Sequence, residues 1–170
     1  MGPEARATTA SLARLLAEIR ADRKGLTARL KDSREAQRRL ASEPKDPAAQ
    51  AMAGVAIHAW YTGFEAILER VARELDGTVP SGDRWHRDLL YQASAQVPGL
   101  RQGIFDSIDV HDLTLLLAFR HFFRHAYAVE FDSVRLGEEL MRLQSVAPHV
   151  DAALDRFEAF LSSAMSATDT

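Results

Sequence analysis

Apolar residues recur along the 170-residue chain at the spacing of helices rather than strands. In the first segment, leucine and isoleucine return every three or four residues, which places them on one helix face. The pattern predicts five helices, at about residues 8–40, 48–75, 83–96, 109–129 and 132–165. Stretches containing proline or glycine separate them. Pro148 lies inside the last helix, where we expect it to kink or split the segment.

Composition supports the same fold class. The chain has 28 Ala but only 9 Gly and 6 Pro, and strand signals are nearly absent. Long helices joined by short loops favour an all-α, antiparallel bundle of about five helices. We expect an N-terminal helix over residues 1–45, packed on or extending from a bundle over residues 46–165. Residues 166–170 are expected to form a frayed tail.

The absence of cysteine narrows the chemistry that the chain can perform. It excludes disulfides, thiolate metal sites and cysteine nucleophiles. No targeting segment is visible, and no apolar run approaches the length of a membrane span, so a soluble, cytoplasmic protein is expected. Any reaction would then depend on acid–base and cationic side chains, with no metal or cofactor.

The net charge of −3 hides a basic N-terminal segment. Residues 1–45 carry 11 basic and 6 acidic side chains, a net charge of +5, which leaves −8 on the remainder. Two interpretations are open at this point. The segment presents a surface for RNA or an acidic partner, or it is a solvated helix face whose charges pair with the acidic remainder.

The densest polar cluster lies on the fourth predicted helix, between residues 119 and 127. On a helical wheel, Arg120, Arg124 and Tyr127 share one flank of the polar side. His121 and His125, four residues apart, share the other flank. An ordinary solvated helix face is the alternative interpretation of this cluster. The core stripe is expected to pass through Leu115, Phe119, Phe122, Ala126 and Val129.

Arginine and histidine together are sufficient for metal-free cleavage of RNA. An imidazole can take the proton of a ribose 2′-OH, whose oxygen attacks the adjacent phosphorus, while a guanidinium stabilises the phosphoryl charge. DNA lacks the 2′-OH and would not be cut. Arg120 and His125 are five residues apart, or ~140° around a helix, so one straight helix does not aim both at one phosphate. We therefore expect a homodimer in which two fourth helices line a shared cleft.

Trp85 and His86 on the third predicted helix are further candidates for this cleft, with Trp85 stacking on a base. Packing at the edge of the bundle is the alternative. Together with His121 and Arg124, they form the set of supporting, RNA-binding residues. Glu65 and Glu69 are four residues apart, but no Glu-x-x-His motif accompanies them, so a ferritin-like metal site is not expected.

The residues Arg120-x4-His125-x-Tyr127 resemble the R-x4-H-x-Y motif of HepT-like toxins in the HEPN superfamily. The resemblance covers roughly residues 48–165. It implies a dimeric, metal-independent endoribonuclease with Arg120 and His125 as catalytic residues. It also implies a partner, a minimal nucleotidyltransferase (MNT) antitoxin, which transfers AMP from ATP to Tyr127. Many family members have Asn after the motif arginine, where this chain has His121.

Three hypotheses for the function follow. The first is a toxin that cuts tRNA or mRNA and is neutralised by AMPylation of Tyr127. The second is a catalytically silent helical binding module that partners a nucleotidyltransferase. The third is a structural helical adaptor in which Arg120 and His125 have no chemical role.

Overall fold

The computed structural model describes residues 9–125 and 131–168. These residues form five α-helices: α1 (Thr9–Ser42), α2 (Pro47–Glu74), α3 (Trp85–Ser94), α4 (Ser107–His125) and α5 (Ser133–Thr168). No strand occurs in this part of the chain, and the all-α fold class is confirmed. The frayed tail was predicted to begin at residue 166, but α5 continues to Thr168. None of the helices in the described ranges is both long and apolar enough to cross a membrane.

Helix α2 lies at the centre of the bundle and contacts each of the other four helices. Its neighbour α1 runs antiparallel to it, since Arg14 near the start of α1 binds Glu74 at the end of α2. Helices α4 and α5 are also antiparallel. Asp109 near the start of α4 contacts His149 in the middle of α5, whereas Phe122 near the end of α4 lies beneath the guanidinium of Arg135 near the start of α5. This arrangement places the second half of α4 beside α2 and α3.

Aspartate side chains fix where α2 and α4 begin. Asp46 Oδ1 accepts a hydrogen bond from the backbone N–H of Ala48 at 3.0 Å, and Pro47 is the first helical residue. At α4, Asp106 Oδ1 accepts from the backbone N–H of Asp109 at 3.1 Å. Both caps satisfy backbone donors that a helix start leaves without partners.

The predicted apolar stripes of α1, α2 and α5 form the core, whose largest fully buried side chains include Trp60 and Tyr61. Pro148 lies within a continuous α5, so the predicted split does not occur. Val146 and Val150 on either side of the proline are both 1% exposed. We attribute the continuity to this packing, which holds the helix although proline removes a backbone hydrogen bond.

Gly54 on α2 allows α4 to approach closely. A Cβ atom at this position would lie 2.2 Å from the ring of Phe123 on α4. One turn further along α2, His58 meets the same ring edge-on, with the ring centroids 5.9 Å apart. Because Gly54 has no side chain, α2 can lie this close to the end of α4 that carries the polar cluster.

Two basic residues of α1, Arg20 and Arg23, pair with acidic residues of α5. Arg23 contacts both Asp151 and Glu158, and Arg20 binds Glu158 at 2.8 Å. These contacts favour the second interpretation of the basic segment, in which its charges pair with the acidic remainder.

Candidate functional site

Arg120, which was predicted to lie on the polar side of the fourth helix, is buried. Leu113, Leu116 and Leu117 form the inward face of α4 and are at most 4% exposed. Arg120 follows them by seven, four and three residues and so shares their face. Phe122, which was predicted to lie in the core stripe, is 37% exposed. The predicted stripe was right at Phe119, which is 2% exposed, and wrong at Phe122, because the inward face follows the leucines. Its other members Ala126 and Val129 lie outside the described residues.

Two polar side chains from other helices meet the buried guanidinium. Arg120 Nη2 donates to Glu65 Oε1 on α2 at 3.2 Å, and Arg120 Nη1 lies 3.4 Å from His86 Nε2 on α3. His86 Nδ1 lies 2.6 Å from Glu65 Oε2. All three side chains are at most 8% exposed. We call these three residues the Glu65–His86–Arg120 triangle.

Burial determines the protonation states in the triangle. It raises the pKa of Glu65 to about 6, although the nearby Arg120 cation opposes the shift. Burial, together with the Arg120 charge, lowers the pKa of His86 below its ordinary value. At neutral pH the triangle therefore contains a carboxylate, a neutral imidazole and a guanidinium. With its Nδ1–H donating to Glu65, the neutral His86 ring presents its Nε2 lone pair to Arg120.

Two further rings extend from the triangle toward the surface. Trp85 packs on His86 with ring centroids 3.7 Å apart, and His121 meets His86 edge-on at 5.0 Å. Trp85 and His121 are both half-buried. Burial, together with His86 and Arg120, lowers the pKa of His121. The fold therefore brings three of the predicted site residues, Trp85, His86 and His121, together around the buried Arg120 cation.

The exposed part of the site lies at the C-terminal end of α4. Arg124 and His125 are both exposed. His125 Nδ1 lies 2.8 Å from the backbone carbonyl oxygen of His121. Because a carbonyl oxygen only accepts, Nδ1 carries the proton of the neutral ring and Nε2 is left as its basic nitrogen.

Within one chain, the two expected catalytic residues, Arg120 and His125, have separate sets of contacts. Among the described residues, Arg120 contacts Glu65 and His86, whereas His125 contacts the α4 backbone. Tyr127 lies outside the described residues. Within residues 9–125 and 131–168, no three His, Asp or Glu side chains are grouped to hold a metal ion.

Glu65 is the site residue that the sequence reasoning missed, since it was considered only as a metal ligand with Glu69. It lies four residues after Tyr61 and three before Leu68, both of which are buried. An acidic residue inside an apolar helix stripe requires a partner, because an unpaired buried charge is costly. The position of Glu65 in the apolar stripe of α2 could therefore have predicted a cation on a facing helix.

Residues 51–161 match the family model described as HepT-like protein. No curated protein and no solved structure gives a match. The matched region begins in α2 and ends in α5, so it contains the whole triangle and leaves out α1. Because this region is more than half of the chain, the protein belongs to the HepT-like family of the HEPN superfamily.

Proposed function

We propose that this protein is the toxin of a HEPN/MNT toxin–antitoxin pair and acts as a metal-independent endoribonuclease. Membership of the HepT-like family supports the toxin–antitoxin context. The observation that carries the catalytic part is the end of α4. There, an exposed imidazole with its Nδ1 fixed on a backbone carbonyl lies one turn beyond a half-buried imidazole and a buried guanidinium.

The proposed reaction follows from these groups. His125 Nε2 takes the proton of a ribose 2′-OH, and the 2′ oxygen forms a bond to the adjacent phosphorus. The bond between phosphorus and the 5′ oxygen of the next nucleotide breaks, and that oxygen takes a proton from water as it leaves. The products are a 2′,3′-cyclic phosphate and a 5′-hydroxyl. Arg120 stabilises the charge on the phosphoryl oxygens, while Arg124, His121 and Trp85 bind the RNA chain.

The proposed nuclease is a homodimer. Arg120 and His125 leave α4 in directions ~140° apart, so an arginine of one copy and a histidine of the other would meet at one phosphate. Exposed apolar side chains beside this helix support the arrangement: Phe122 is 37%, Val134 67% and Met141 55% exposed. Val134 and Met141 are seven residues apart and share a face of α5. Such exposed apolar residues favour an interface.

Neutralisation by an MNT-type nucleotidyltransferase is part of the same proposal. Transfer of AMP to Tyr127 would place a phosphate two residues beyond His125 in the sequence. That negative charge and bulk would compete with RNA for the guanidiniums of Arg120 and Arg124.

The test is cleavage of tRNA and total RNA by the purified protein in EDTA. His125 is exposed, so His125→Ala should fold normally and lose cleavage by about 10²-fold or more. His111→Ala, an exposed histidine on the same helix, is the matched control and should cut as the wild type does. Equal cleavage by wild type and His125→Ala, or none by the wild type, would contradict the proposal.

The burial of Arg120 favours one alternative, a catalytically silent helical module that partners a nucleotidyltransferase. A guanidinium that is bound to Glu65 and only 7% exposed presents little of its surface to a phosphate in solvent. ATP-dependent complex formation with an MNT-type protein, without RNA cleavage by the wild type, would support this function over the first.

A further inference from the structure

The triangle restrains Arg120 from two helices other than its own. Both carboxylate oxygens of Glu65 are used, Oε2 by His86 and Oε1 by Arg120. His86 links the remaining two corners, with Nδ1 on Glu65 and Nε2 towards Arg120. The planar guanidinium is therefore contacted at two of its nitrogens, and these contacts fix its orientation as well as its position.

The same contacts define which donors Arg120 has left. A guanidinium has five N–H groups, and one each faces Glu65 and His86. Arg120 Nε is buried and has no hydrogen-bond partner among the described residues. Buried donors are nearly always satisfied in folded proteins, so this one points to an acceptor that arrives with a ligand.

Stability alone does not explain the triangle. Removing charges from water is costly, and a buried ion pair is often no more stabilising than apolar residues of the same volume. Glu65 and Arg120 lie among buried apolar residues of α2 and α4, where apolar side chains are the ordinary occupants. The charged arrangement is better explained by the orientation that it imposes on Arg120.

We infer that Glu65 and His86 are positioning residues that hold the Arg120 guanidinium at the base of the site, with its Nε–H directed to an oxygen of the bound phosphate. Neither residue touches the RNA. The inference rests on the proposed function and adds to it two residues outside α4.

Kinetics of RNA cleavage test the positioning role. His86→Ala removes the acceptor that faces Arg120 Nη1 and should lower kcat about 10²-fold while KM changes less. His86→Gln places an amide oxygen near the position of Nε2 and should recover kcat to within about tenfold of the wild type. Glu65→Gln, which keeps the volume but removes the charge, should lower kcat about tenfold. Glu69→Gln, one turn along α2 and outside the triangle, is the control and should leave kcat unchanged.

The Nε–H resonance of Arg120 in a ¹⁵N–¹H spectrum gives a readout that does not require cleavage. In the wild type it should exchange slowly with water, and Arg120→Lys should remove and thereby assign it. His86→Ala and Glu65→Gln should accelerate its exchange about tenfold or more, and His86→Gln should restore it. Single-stranded DNA, which has phosphates but no 2′-OH, should shift the resonance without being cut.

These measurements distinguish failure of the inference from failure of the proposed function. Slow exchange that depends on Glu65 and His86, together with the kcat pattern, supports the inference. Equal exchange in the wild type and both disrupting variants, or wild-type kcat in His86→Ala, overturns it. If the wild type cuts no RNA, the proposed function fails, and the exchange of the Arg120 resonance alone decides whether Glu65 and His86 position the guanidinium.

Discussion

Two of the arginine–glutamate pairs in the protein have the same chemistry, but their arginines lie in opposite surroundings. Arg20 on α1 binds Glu158 on α5 at 2.8 Å, and the arginine side chain is 58% exposed. Arg120 on α4 binds Glu65 on α2 at 3.2 Å, and its side chain is 7% exposed. The shorter contact belongs to the pair on the surface, so distance does not tell which pair matters more.

The surroundings decide what each pair contributes. Around the exposed Arg20, water and salt screen the attraction, and Glu158 keeps Arg23 as a partner when Arg20 is lost. In the interior, a guanidinium or carboxylate that loses its partner has no water to replace it. The first kind of pair stabilises α1 on the bundle weakly, whereas the second makes the fold depend on a charge that the proposed reaction also uses.

The largest effect is expected from removing the buried cation. Arg120→Ala leaves the Glu65 carboxylate without its cation and should lower the free energy of unfolding by about 3–5 kcal/mol. Urea denaturation measures the change, with Arg34→Ala, an exposed arginine on α1, as the control at about ±0.5 kcal/mol. Equal stability of the two variants would show that Arg120 is not the buried partner of Glu65.

A double variant separates stability from function in the same experiment. Glu65→Leu with Arg120→Met replaces the pair by apolar side chains of similar size and should recover most of the lost stability. It should not recover RNA cleavage, since no guanidinium remains. Recovery of both would contradict a catalytic role for Arg120.

Much of the fold could be predicted from the spacing of apolar residues. All five helices and the buried stripes of α1, α2 and α5 follow from periods of three and four residues, because their leucines and isoleucines lie on one face only. Helix α4 is different. It has apolar residues on two faces, and the wheel gave the inward face to Phe122 instead of Leu116.

The site could be predicted only in part for the same reason. The motif drew attention to Arg120 and His125, but whether a charged side chain points inward depends on partners from other helices. Glu65 and His86 lie 21 residues apart in sequence and meet only through the packing of α2 on α3. Glu65, His86 and Arg120 each interrupt an apolar stripe, and this pattern could have predicted that they contact one another.

An intermediate effect is expected from changing pH. The pKa of Glu65 rises from its ordinary 4.5 to about 6 in the folded protein. Between these values the folded state keeps a proton that the unfolded state releases. This carboxyl therefore contributes about 2 kcal/mol of stability at low pH, which is lost gradually as pH rises from below 4.5 to above 6. Glu65 faces Arg120, Glu69, His121 and Arg124, whose charges act on the same proton.

Three histidines, one buried and two half-buried, act in the opposite direction and must be separated from Glu65. Burial lowers the pKa of His58, His86 and His121, so the unfolded state holds more protons just below pH 6.5 and their contribution to stability grows as pH rises. Subtracting the unfolding curve of Glu65→Gln from that of the wild type isolates the carboxyl. The difference should fall as pH rises. A flat curve would mean that folding does not raise the pKa of Glu65.

The smallest effect is expected at the surface pair. Arg20→Ala should lower the free energy of unfolding by about 0.2–1 kcal/mol at 0.1 M salt. At 1 M salt the Debye length falls from about 10 Å to about 3 Å, so this difference should vanish, whereas the cost of Arg120→Ala should persist because its surroundings exclude salt.

The Arg20→Ala variant also tests whether the basic face of α1 binds RNA. If α1 only pairs with acidic α5, Arg20→Ala should bind RNA as tightly as the wild type at every salt concentration. A weaker and less salt-dependent affinity would instead show that this face of α1 contacts phosphates, because each lost phosphate contact lowers the salt slope by about one.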